Sequence, residues 1–376
     1  IAFPIVRRVF GGLISNELVS IQPMSLPSGL LFYLDYTYGT NIGDTVALNN
    51  IRLQISKHID EAIEWVPINI IGFLDCKNDK SYVLKTFREL TKDCSALFIG
   101  GGGLLEGGPF NDTHTGWKLP FNDEIFEELD LEIPIYVIGA GINYFRSVAG
   151  FTEKGVKGLT SLIDKAAIFS LRNDGSMDAA KEMLPPSVFE KIIEVPDPGL
   201  IYDYQYDRLT IAEMQNKTKV LQPAFNGGQN IMIGRFLNNE NFNKIIRIPV
   251  ELGLKILPHT PKDYMHFPLH VAGYNMVWDK QHFQKYSSID SYQELLNYYS
   301  EVGCSIAMRG HGQMIALALN VPSIYFSTQD KVLNFSKRND LMDFNVDIAE
   351  PGWYIKLNNL FTRITTDEDF LNSWYD

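Results

Sequence analysis

Short apolar runs alternate along the chain with segments whose apolar residues recur at helical spacing. Buried parallel strands are apolar on both faces, whereas a helix that covers them is apolar on one face only. This alternation is typical of α/β architecture with parallel strands. We predict strands over residues 29–37, 66–73, 96–99, 134–138, 166–171, 219–223, 231–235, 255–257, 304–308 and 323–326. We predict helices over residues 45–59, 81–92, 125–129, 176–183, 291–299 and 313–319.

A polar, mixed stretch from Tyr202 to Asn216 interrupts this alternation. A chain of 376 residues usually outgrows a single hydrophobic core, so two domains are expected. We predict an N-terminal domain over residues 1–205 and a second domain over 206–345. An aromatic, amphipathic segment over 346–376 is expected to pack back on the first domain.

The composition is that of a globular protein, with 45% hydrophobic and 21% charged residues. The formal net charge of -12 argues against a nucleic-acid binder that works by general attraction to phosphates. Small anionic ligands stay possible, because a few placed Arg and Lys side chains bind them. The cysteines Cys76, Cys94 and Cys304 form no CxxC pair, which disfavours a zinc site and a disulfide scaffold.

No apolar run approaches the roughly 18 to 20 residues that span a membrane, so we predict no transmembrane segment in this chain. The sequence begins at Ile1 rather than Met, which suggests that something preceded it. We expect a cytoplasmic location and leave membrane association open. The Golgi lumen is the alternative if a signal anchor was removed upstream.

Ligands of open α/β sheets bind beyond the carboxyl ends of the strands, so the loops directly after the predicted strands hold the candidate site residues. Asn41, Gly43 and Asp44 come after the first strand, where they fit either a ligand contact or a tight turn with Asp44 as helix N-cap. The run Gly100–Gly103 predicts a strand-to-helix turn that approaches phosphate or sugar closely. Neither GxGxxG nor Walker A is completed, which disfavours a dehydrogenase and a P-loop enzyme.

Two further loops of the first half carry candidate chemistry. His114 lies near Trp117 in a polar loop, where it fits a sugar-facing or proton-donating group, with a solvated loop His as the alternative. Arg172 ends a strand shortly before Ser176, which is well placed for a carboxylate or phosphate. The alternative for Arg172 is an ion pair with Asp174, Glu182 or another acid.

The second half carries its densest cluster at Arg309-Gly310-His311-Gly312, between a buried strand and a helix. Arg309 and the helix N-terminus predict an anion site, and His311 adds acid–base capacity near neutral pH. Interdomain ion pairs are the alternative. Lys331 is a second candidate cation or a surface helix cap, and His259 also comes after a strand. No metal-binding or serine-hydrolase motif is present, so we predict no metal.

Together these loops resemble the polysaccharide pyruvyl transferase family. The matching pieces, in chain order, are Asn41-Ile-Gly-Asp44, Ile99-Gly-Gly-Gly-Gly-Leu-Leu105, Ile138-Gly-Ala-Gly141, Ser170-Leu-Arg172 with Ser176, Asp197-Pro-Gly-Leu200, Arg309-Gly-His311 with Ala316, and Asp330-Lys331. Two features depart from the family. Gly312 stands where an Ala is expected, and residues 225–279 match no part of the pattern that we can place.

The resemblance implies an α/β fold of two Rossmann-like domains with parallel sheets that face a cleft, similar to the GT-B arrangement. It also implies phosphoenolpyruvate as co-substrate, a sugar or glycan acceptor with two nearby hydroxyls, a pyruvate ketal as product, and no cofactor. The second domain would be the donor side and the first domain the acceptor side. Implied donor-binding residues are Arg172, Ser176, Arg309, His311 and Lys331. Implied acceptor-binding residues are Asn41, Gly43, Asp44, Gly101, Gly102, Gly103, Trp117 and His259.

Ketal formation needs an acid and cationic clamps for a phosphate and a carboxylate. Arg309 and Arg172 suit the clamps, His311 suits the acid, and His114 is a second candidate acid. Two other functions stay open. A glycosyltransferase of the same architecture would need contacts to a nucleotide in the second domain. A non-catalytic carbohydrate-binding protein would not be expected to keep Arg309, His311 and Arg172 intact.

Overall fold

A computed structural model describes most of the sequence. The described residues are 28–35, 42–59, 62–69, 79–108, 114–143, 150–200, 206–216, 220–221, 255–256, 299–300, 302–308 and 310–376. Contacts divide the chain into a first unit of residues 1–38 and 44–201 and a second unit of residues 39–43 and 202–376.

The first unit is built on a sheet of six parallel strands. They are β1 (Ser28–Asp35), β2 (Ala62–Asn69), β3 (Ala96–Leu105), β4 (Ile135–Ile142), β5 (Ala166–Arg172) and β6 (Ile192–Val195). The strand order is β2-β1-β3-β4-β5-β6. The order reverses between β1 and β3, and in open α/β sheets such a switch point opens a crevice at the carboxyl ends of the strands.

Helices connect the strands of this sheet. They are α1 (Ile42–His58), α2 (Lys80–Thr91), α3 (Asp123–Leu129), α4 (Glu153–Lys165), α5 (Ser176–Met183) and the single turn α6 (Pro186–Phe189). Three of them begin at a residue whose side chain accepts a hydrogen bond from the N–H three positions on. These N-caps are Asp79, Asn122 and Thr152.

The sheet is covered on both faces because its central strands alternate between two hydrophobic clusters. Leu97 and Ile99 of β3 pack in one cluster with Phe87 of α2. Phe98, whose side chain points the other way, packs in the second cluster with Ile51 of α1. Burial on both faces explains why β3 and β4 are continuous apolar runs in the sequence.

The glycine run does not form the predicted strand-to-helix turn, and that prediction is wrong. β3 continues through all four glycines to Leu105. Gly101 and Gly102 have φ of 75° and 125°, and the pairing with β4 shifts register between Gly102 and Leu105. A Cβ on Gly100 would lie 2.5 Å from the carbonyl oxygen of Ile138, so the strands approach too closely for a side chain there.

Within the described residues, the second unit shows three parallel strands in the order β11-β10-β9 and a parallel pair, β7 with β8. The described strands are β7 (Val220–Leu221), β8 (Lys255–Ile256), β9 (Ser305–Ala307), β10 (Ser323–Ser327) and β11 (Asn345–Asp347). The described helices are α7 (Ile211–Asn216), α8 (Gly310–Ala318), α9 (Asp330–Arg338), α10 (Trp353–Thr366) and α11 (Glu368–Tyr375). The predicted strand over 231–235 and residues 291–298 of a predicted helix lie outside the described residues.

The C-terminal segment forms α10 and α11. That residues 346–376 pack back on the first domain stays a prediction, and the contacts described below join them to the rest of the second unit. α10 packs on β10 and β11, and the indole N–H of Trp374 donates a 3.0 Å hydrogen bond to the carbonyl oxygen of Ser323. The buried Trp therefore finds its hydrogen-bond acceptor at the first residue of β10.

Candidate functional site

Three of the predicted site residues, Asn41, His259 and Arg309, lie outside the described residues. Gly43 and Asp44 lie in the first turn of α1, which begins at Ile42. The N-cap predicted at Asp44 or Thr45 is therefore inside the helix rather than at its start.

Arg172, the last residue of β5, is held in a buried ion-pair network. Its Nε donates a 2.6 Å hydrogen bond to Asp174 Oδ2, and its Nη1 donates one of 3.1 Å to Asp197 Oδ2. The three side chains are exposed by 4% or less. The structure thus shows the ion-pair alternative for Arg172. Two carboxylates face one guanidinium, so the trio carries a net negative charge, which does not favour an anion at this point.

The same network ties together the loops at the carboxyl edge of the first sheet. Ser176 Oγ donates a short hydrogen bond to Asp174 Oδ1 and accepts one of 2.9 Å from the backbone N–H of Ile142, the last residue of β4. Asp197 Oδ1 accepts a 2.7 Å hydrogen bond from the backbone N–H of Gly199. Ser176 is therefore a connector between β4 and the start of α5.

Gly141 completes this arrangement by leaving room for Arg172. A Cβ at residue 141 would lie 2.3 Å from Arg172 Nε and 2.5 Å from its Cζ. Gly141, the last residue of the Ile138-Gly-Ala-Gly141 motif, thus accommodates a guanidinium of the chain itself.

The glycines of β3 likewise make room for protein atoms. A Cβ on Gly101 would lie 3.1 Å from the backbone nitrogen of Leu48 in α1. A Cβ on Gly103 would lie 2.2 Å from the Asn143 amide, whose Nδ2 donates a 2.7 Å hydrogen bond to Gly103 O. The contact predicted between Gly101–Gly103 and a sugar stays a prediction.

Trp117 lies in the hydrophobic core of the first unit rather than on an open loop. Its side chain is 0% exposed, and its indole N–H donates a 2.8 Å hydrogen bond to the carbonyl oxygen of Phe121. A Cβ on Gly158 would lie 2.5 Å from the indole nitrogen, so α4 packs directly on the ring. In the described conformation, Trp117 presents no surface to a sugar.

His114 is half-buried and lies among charged side chains. The pKa of the Glu124 carboxyl is lowered, chiefly by its hydrogen bond with Lys80, and the charges of His114 and Lys154 add to that lowering. His114 therefore sits in a mixed-charge surface next to α3 and α4, and its predicted role as an acid stays a prediction.

A buried ion pair that the sequence analysis did not single out lies just after the glycine strand. Lys118 Nζ donates a 2.7 Å hydrogen bond to Glu106 Oε2, and the two side chains are 5% and 12% exposed. The backbone N–H of Lys118 also bonds to Glu106 O at 2.9 Å. The available signal was position alone, because Glu106 is the first charged residue after the ten apolar and glycine residues of β3.

In the second unit, two helices begin at the same edge of the sheet. Ala307 of β9 pairs with Tyr325 of β10, and α8 and α9 come directly after these two parallel strands. His311, 8% exposed, lies in the first turn of α8. Lys331, half-buried, lies in the first turn of α9. Two helix N-termini, a His and a Lys thus meet at one edge, together with the acidic Asp330 that begins α9. Helix N-termini favour a bound anion.

The N-terminus of α8 differs from the sequence prediction. The helix begins at Gly310, three residues before the predicted start at Gln313, so the Gly-His-Gly sequence is helical rather than a loop. Among the described residues, the atom that a Cβ on Gly310 would meet is Met314 Cε, at 4.0 Å. The Nε2 of Gln313 donates a 2.8 Å hydrogen bond to Ala307 O, which anchors this first turn to the end of β9.

Within the described ranges, no group of three or more His, Cys, Asp or Glu side chains is arranged to hold a metal ion. No helix in the same ranges combines the length and apolar character required to cross a bilayer.

Comparison with protein families identifies one match over most of the chain. The model of the polysaccharide pyruvyl transferase family matches residues 41–330. A second model, that of the major capsid protein Gp23, matches residues 1–67 and covers a minor part of the sequence. A comparison with curated proteins finds no match.

Solved structures similar to this chain share its fold. One is the S. aureus MnaA-UDP co-structure, with a TM-score of 0.54 and 9% identity over 93% of this chain and 91% of that chain. Another is the UDP-GlcNAc 2-epimerase from Neisseria meningitidis bound to UDP-GlcNAc, with a TM-score of 0.52 and 9% identity over 93% of this chain and 94% of that chain. At this identity the similarity establishes the fold alone. It confirms the predicted α/β, GT-B-like class with parallel sheets.

Proposed function

The chain belongs to the polysaccharide pyruvyl transferase family, and from that premise we propose that it transfers the pyruvyl group of phosphoenolpyruvate to two hydroxyls of a glycan sugar. The product is a pyruvate ketal, and phosphate is released. Membership of the family makes the protein an enzyme that acts on a sugar or glycan acceptor. Phosphoenolpyruvate as the donor and a pyruvate ketal as the product are our proposal and go beyond family membership.

The observation that carries this proposal is the edge of the second sheet at which two helix N-termini, His311 and Lys331 meet. The family match includes Arg309-Gly-His311 and ends at Asp330, the residue before Lys331. These motifs come after adjacent parallel strands, which brings His311 and Lys331 to one edge. Phosphoenolpyruvate carries a phosphate and a carboxylate, and helix N-termini with basic side chains are suited to both.

The reaction proceeds by acid catalysis at the enol. A proton adds to the methylene carbon of the donor, which becomes a methyl group and leaves an oxocarbenium-like centre at the neighbouring carbon. One sugar hydroxyl attacks that carbon and loses its proton, and the C–O bond to phosphate breaks. The second hydroxyl then attacks the same carbon and loses its proton. The two protons lost from the hydroxyls balance the proton taken up by carbon and the one carried away by phosphate.

His311 is the proposed acid, since an imidazole changes charge near neutral pH and this one lies in the first turn of α8, at the edge proposed for the donor. Lys331 is a proposed clamp for the donor. Arg309 is assigned to the same task from its motif. Arg172 and Ser176, which the resemblance implied as donor ligands, are proposed instead as positioning residues, because the described hydrogen bonds of both join loops of the first unit.

Binding and turnover test this proposal separately. A thermal-shift titration compares phosphoenolpyruvate with a panel of nucleotide sugars. A ligand at 100 times its Kd adds about 2.7 kcal/mol of stability. Phosphate release from phosphoenolpyruvate is then measured in the presence of p-nitrophenyl hexopyranosides. We expect stabilisation by phosphoenolpyruvate and sugar-dependent release.

Two variants define the roles, with His58→Ala as control because His58 is exposed at the end of α1. We expect Arg309→Ala to abolish donor binding and His311→Ala to lower turnover more than binding. Full turnover by folded His311→Ala would remove His311 from the reaction. Stabilisation by a nucleotide sugar alone would favour the glycosyltransferase alternative, and silence towards every ligand would favour a non-catalytic protein.

A further inference from the structure

Three buried amide side chains of the second unit, Gln313, Gln329 and Asn345, have atoms without a hydrogen-bond partner among the described residues, and the first two come after neighbouring strands of its sheet. Gln329 is 1% exposed, and neither its Oε1 nor its Nε2 has a partner. Gln313 is 0% exposed, and its Oε1 has none. The hydroxyl oxygen of Thr328, the residue before Gln329, is also buried and also lacks a hydrogen-bond partner among the described residues. Burying such atoms without a partner destabilises the folded chain, so the group calls for an explanation, and a ligand is one.

These side chains belong to one edge of the second sheet. Gln313 is anchored there, because its Nε2 donates a hydrogen bond to the carbonyl oxygen of Ala307, the last residue of β9. Thr328 and Gln329 come directly after Ser327, the last residue of β10. The two strands are adjacent and parallel. The unpartnered atoms thus lie at the edge where His311 and Lys331 begin their helices.

The polarity of Gln313 restricts what can bind beside it. Since its Nε2 donates to Ala307, its open atom is the carbonyl oxygen Oε1, which only accepts hydrogen bonds. A carboxylate or an ionised phosphate oxygen is also only an acceptor, so it could not form a hydrogen bond with Gln313 Oε1. A hydroxyl can donate to Gln313 Oε1, and a hydroxyl oxygen can accept from Gln329 Nε2. The pattern therefore suits a hydroxylated ligand better than an anion.

We propose that Gln313 and Gln329, together with Thr328, form a subsite for hydroxyls of the acceptor sugar in the second unit. The inference rests on the proposed function, in which acceptor hydroxyls attack the carbon of a donor bound at this same edge. A carbonyl oxygen that accepts a hydrogen bond from a hydroxyl orients the lone pairs of that hydroxyl for attack. None of these three residues is among the acceptor-binding residues that the resemblance implied.

Gln329→Leu is the central test. The substitution replaces an unpartnered amide by an apolar group of similar size, so the Tm of the free protein should stay the same or rise. Loss of one hydrogen bond to the sugar should raise the acceptor KM about tenfold. The Kd for phosphoenolpyruvate should not change. A merely structural amide would give the opposite pattern, with a lower Tm and an unchanged KM.

Gln313→Leu and Ser305→Ala complete the set. Gln313→Leu should also raise the acceptor KM, and its Tm should fall because the bond to Ala307 is lost. Ser305 is the matched control: it is 0% exposed and its hydroxyl lacks a partner among the described residues, but it begins β9 at the opposite end. Ser305→Ala should leave both kinetic constants unchanged.

The assays are sugar-dependent phosphate release with p-nitrophenyl hexopyranosides and calorimetric binding of phosphoenolpyruvate. An unchanged acceptor KM in Gln329→Leu overturns this inference and leaves the proposed function intact. A weaker Kd for phosphoenolpyruvate in that variant also overturns it, because the amide would then bind the donor. Wild-type protein that binds no phosphoenolpyruvate and releases no phosphate with any sugar overturns the proposed function and the subsite with it.

Discussion

Replacing Arg172 by Met tests whether the network at the carboxyl edge of the first sheet holds that unit together. Met keeps much of the side-chain volume and removes the charge. The carboxylates of Asp174 and Asp197 then stay buried, at 2% and 0% exposure, without their ion pairs to the guanidinium. Removing one partner of a buried ion pair costs about 3 to 5 kcal/mol.

Hydrogen exchange is the suitable measurement, because a chain of two units need not unfold in a single step. The slowest amides of β4 and β5 report the opening of the first unit. A loss of about 3 to 5 kcal/mol should speed their exchange by two to more than three orders of magnitude. Second-unit amides of β10 serve as an internal reference.

Two further variants identify the cause. Lys191→Met breaks an exposed ion pair with Asp164, whose members are 53% and 45% exposed, and should cost less than about 1 kcal/mol. Adding Asp174→Asn and Asp197→Asn to Arg172→Met removes the uncompensated charges and should restore part of the loss. The reasoning is refuted if Arg172→Met exchanges no faster than Lys191→Met, or if neutralising both carboxylates restores nothing.

Three other predictions rest on buried groups. Lys118→Met should destabilise the first unit by about 3 to 5 kcal/mol by leaving Glu106 buried and charged, and adding Glu106→Gln should reduce the loss; hydrogen exchange of β3 measures both, and equal losses would contradict it. Burial raises the pKa of the Cys304 thiol to about 12, so alkylation at pH 8 should modify it only after unfolding; mass spectrometry that finds native labelling of Cys304 as fast as that of partly exposed Cys94 would count against this. Burial also raises the pKa of Tyr375 from 10 to about 12, so the unfolded chain binds fewer protons above pH 10 and stability is lost as the pH rises from 10 through 12. Tyr375→Phe should therefore lose less Tm than the wild type over that interval, and an equal loss would refute the assignment.

Local patterns predicted most elements of the first unit because each of those carries its own signal. Helix α5 has the bounds that the sequence predicted, Ser176–Met183. Five of the six strands were recognised from apolar runs of strand length. Helices α4 and α6 and strand β6 were not predicted. Most remaining differences are shifts of a few residues at element ends, where local preference is weakest.

The glycine strand shows what such patterns do not contain. Four consecutive glycines argue for a turn on local preference, yet β3 and its pairing run through them. The reason is tertiary: Ile138 O and the backbone of α1 approach the strand more closely than any side chain would permit. The prediction that Trp117 faces a sugar failed for a similar reason. Its neighbours in the sequence are polar, but its ring is buried against α4.

Some residues of the candidate site could likewise be predicted from the sequence, and others could not. Residue type and position located His311 and Lys331 at the ends of strands, and the parallel pairing of β9 and β10 brings them to one edge. The partners of Arg172 were foreseen only as an alternative, since Asp197 is 25 residues away in the sequence. Gln313 and Gln329 carried no signal at all, because an amide becomes informative only when its burial and its missing partner are known.

The last helix of the chain has a consequence for how the second unit is made. Leu209, near the start of that unit, donates its backbone N–H to the hydroxyl of Tyr375, which lies 166 residues later. Ile211 bonds in the same way to the carboxylate of Glu368. At a synthesis rate of about 5 to 20 residues per second, the ribosome needs roughly 8 to 30 s to travel between these contacts. During that time the start of the unit waits for its partner, so we expect the first unit to be folded while the second is still exposed to chaperones and proteases.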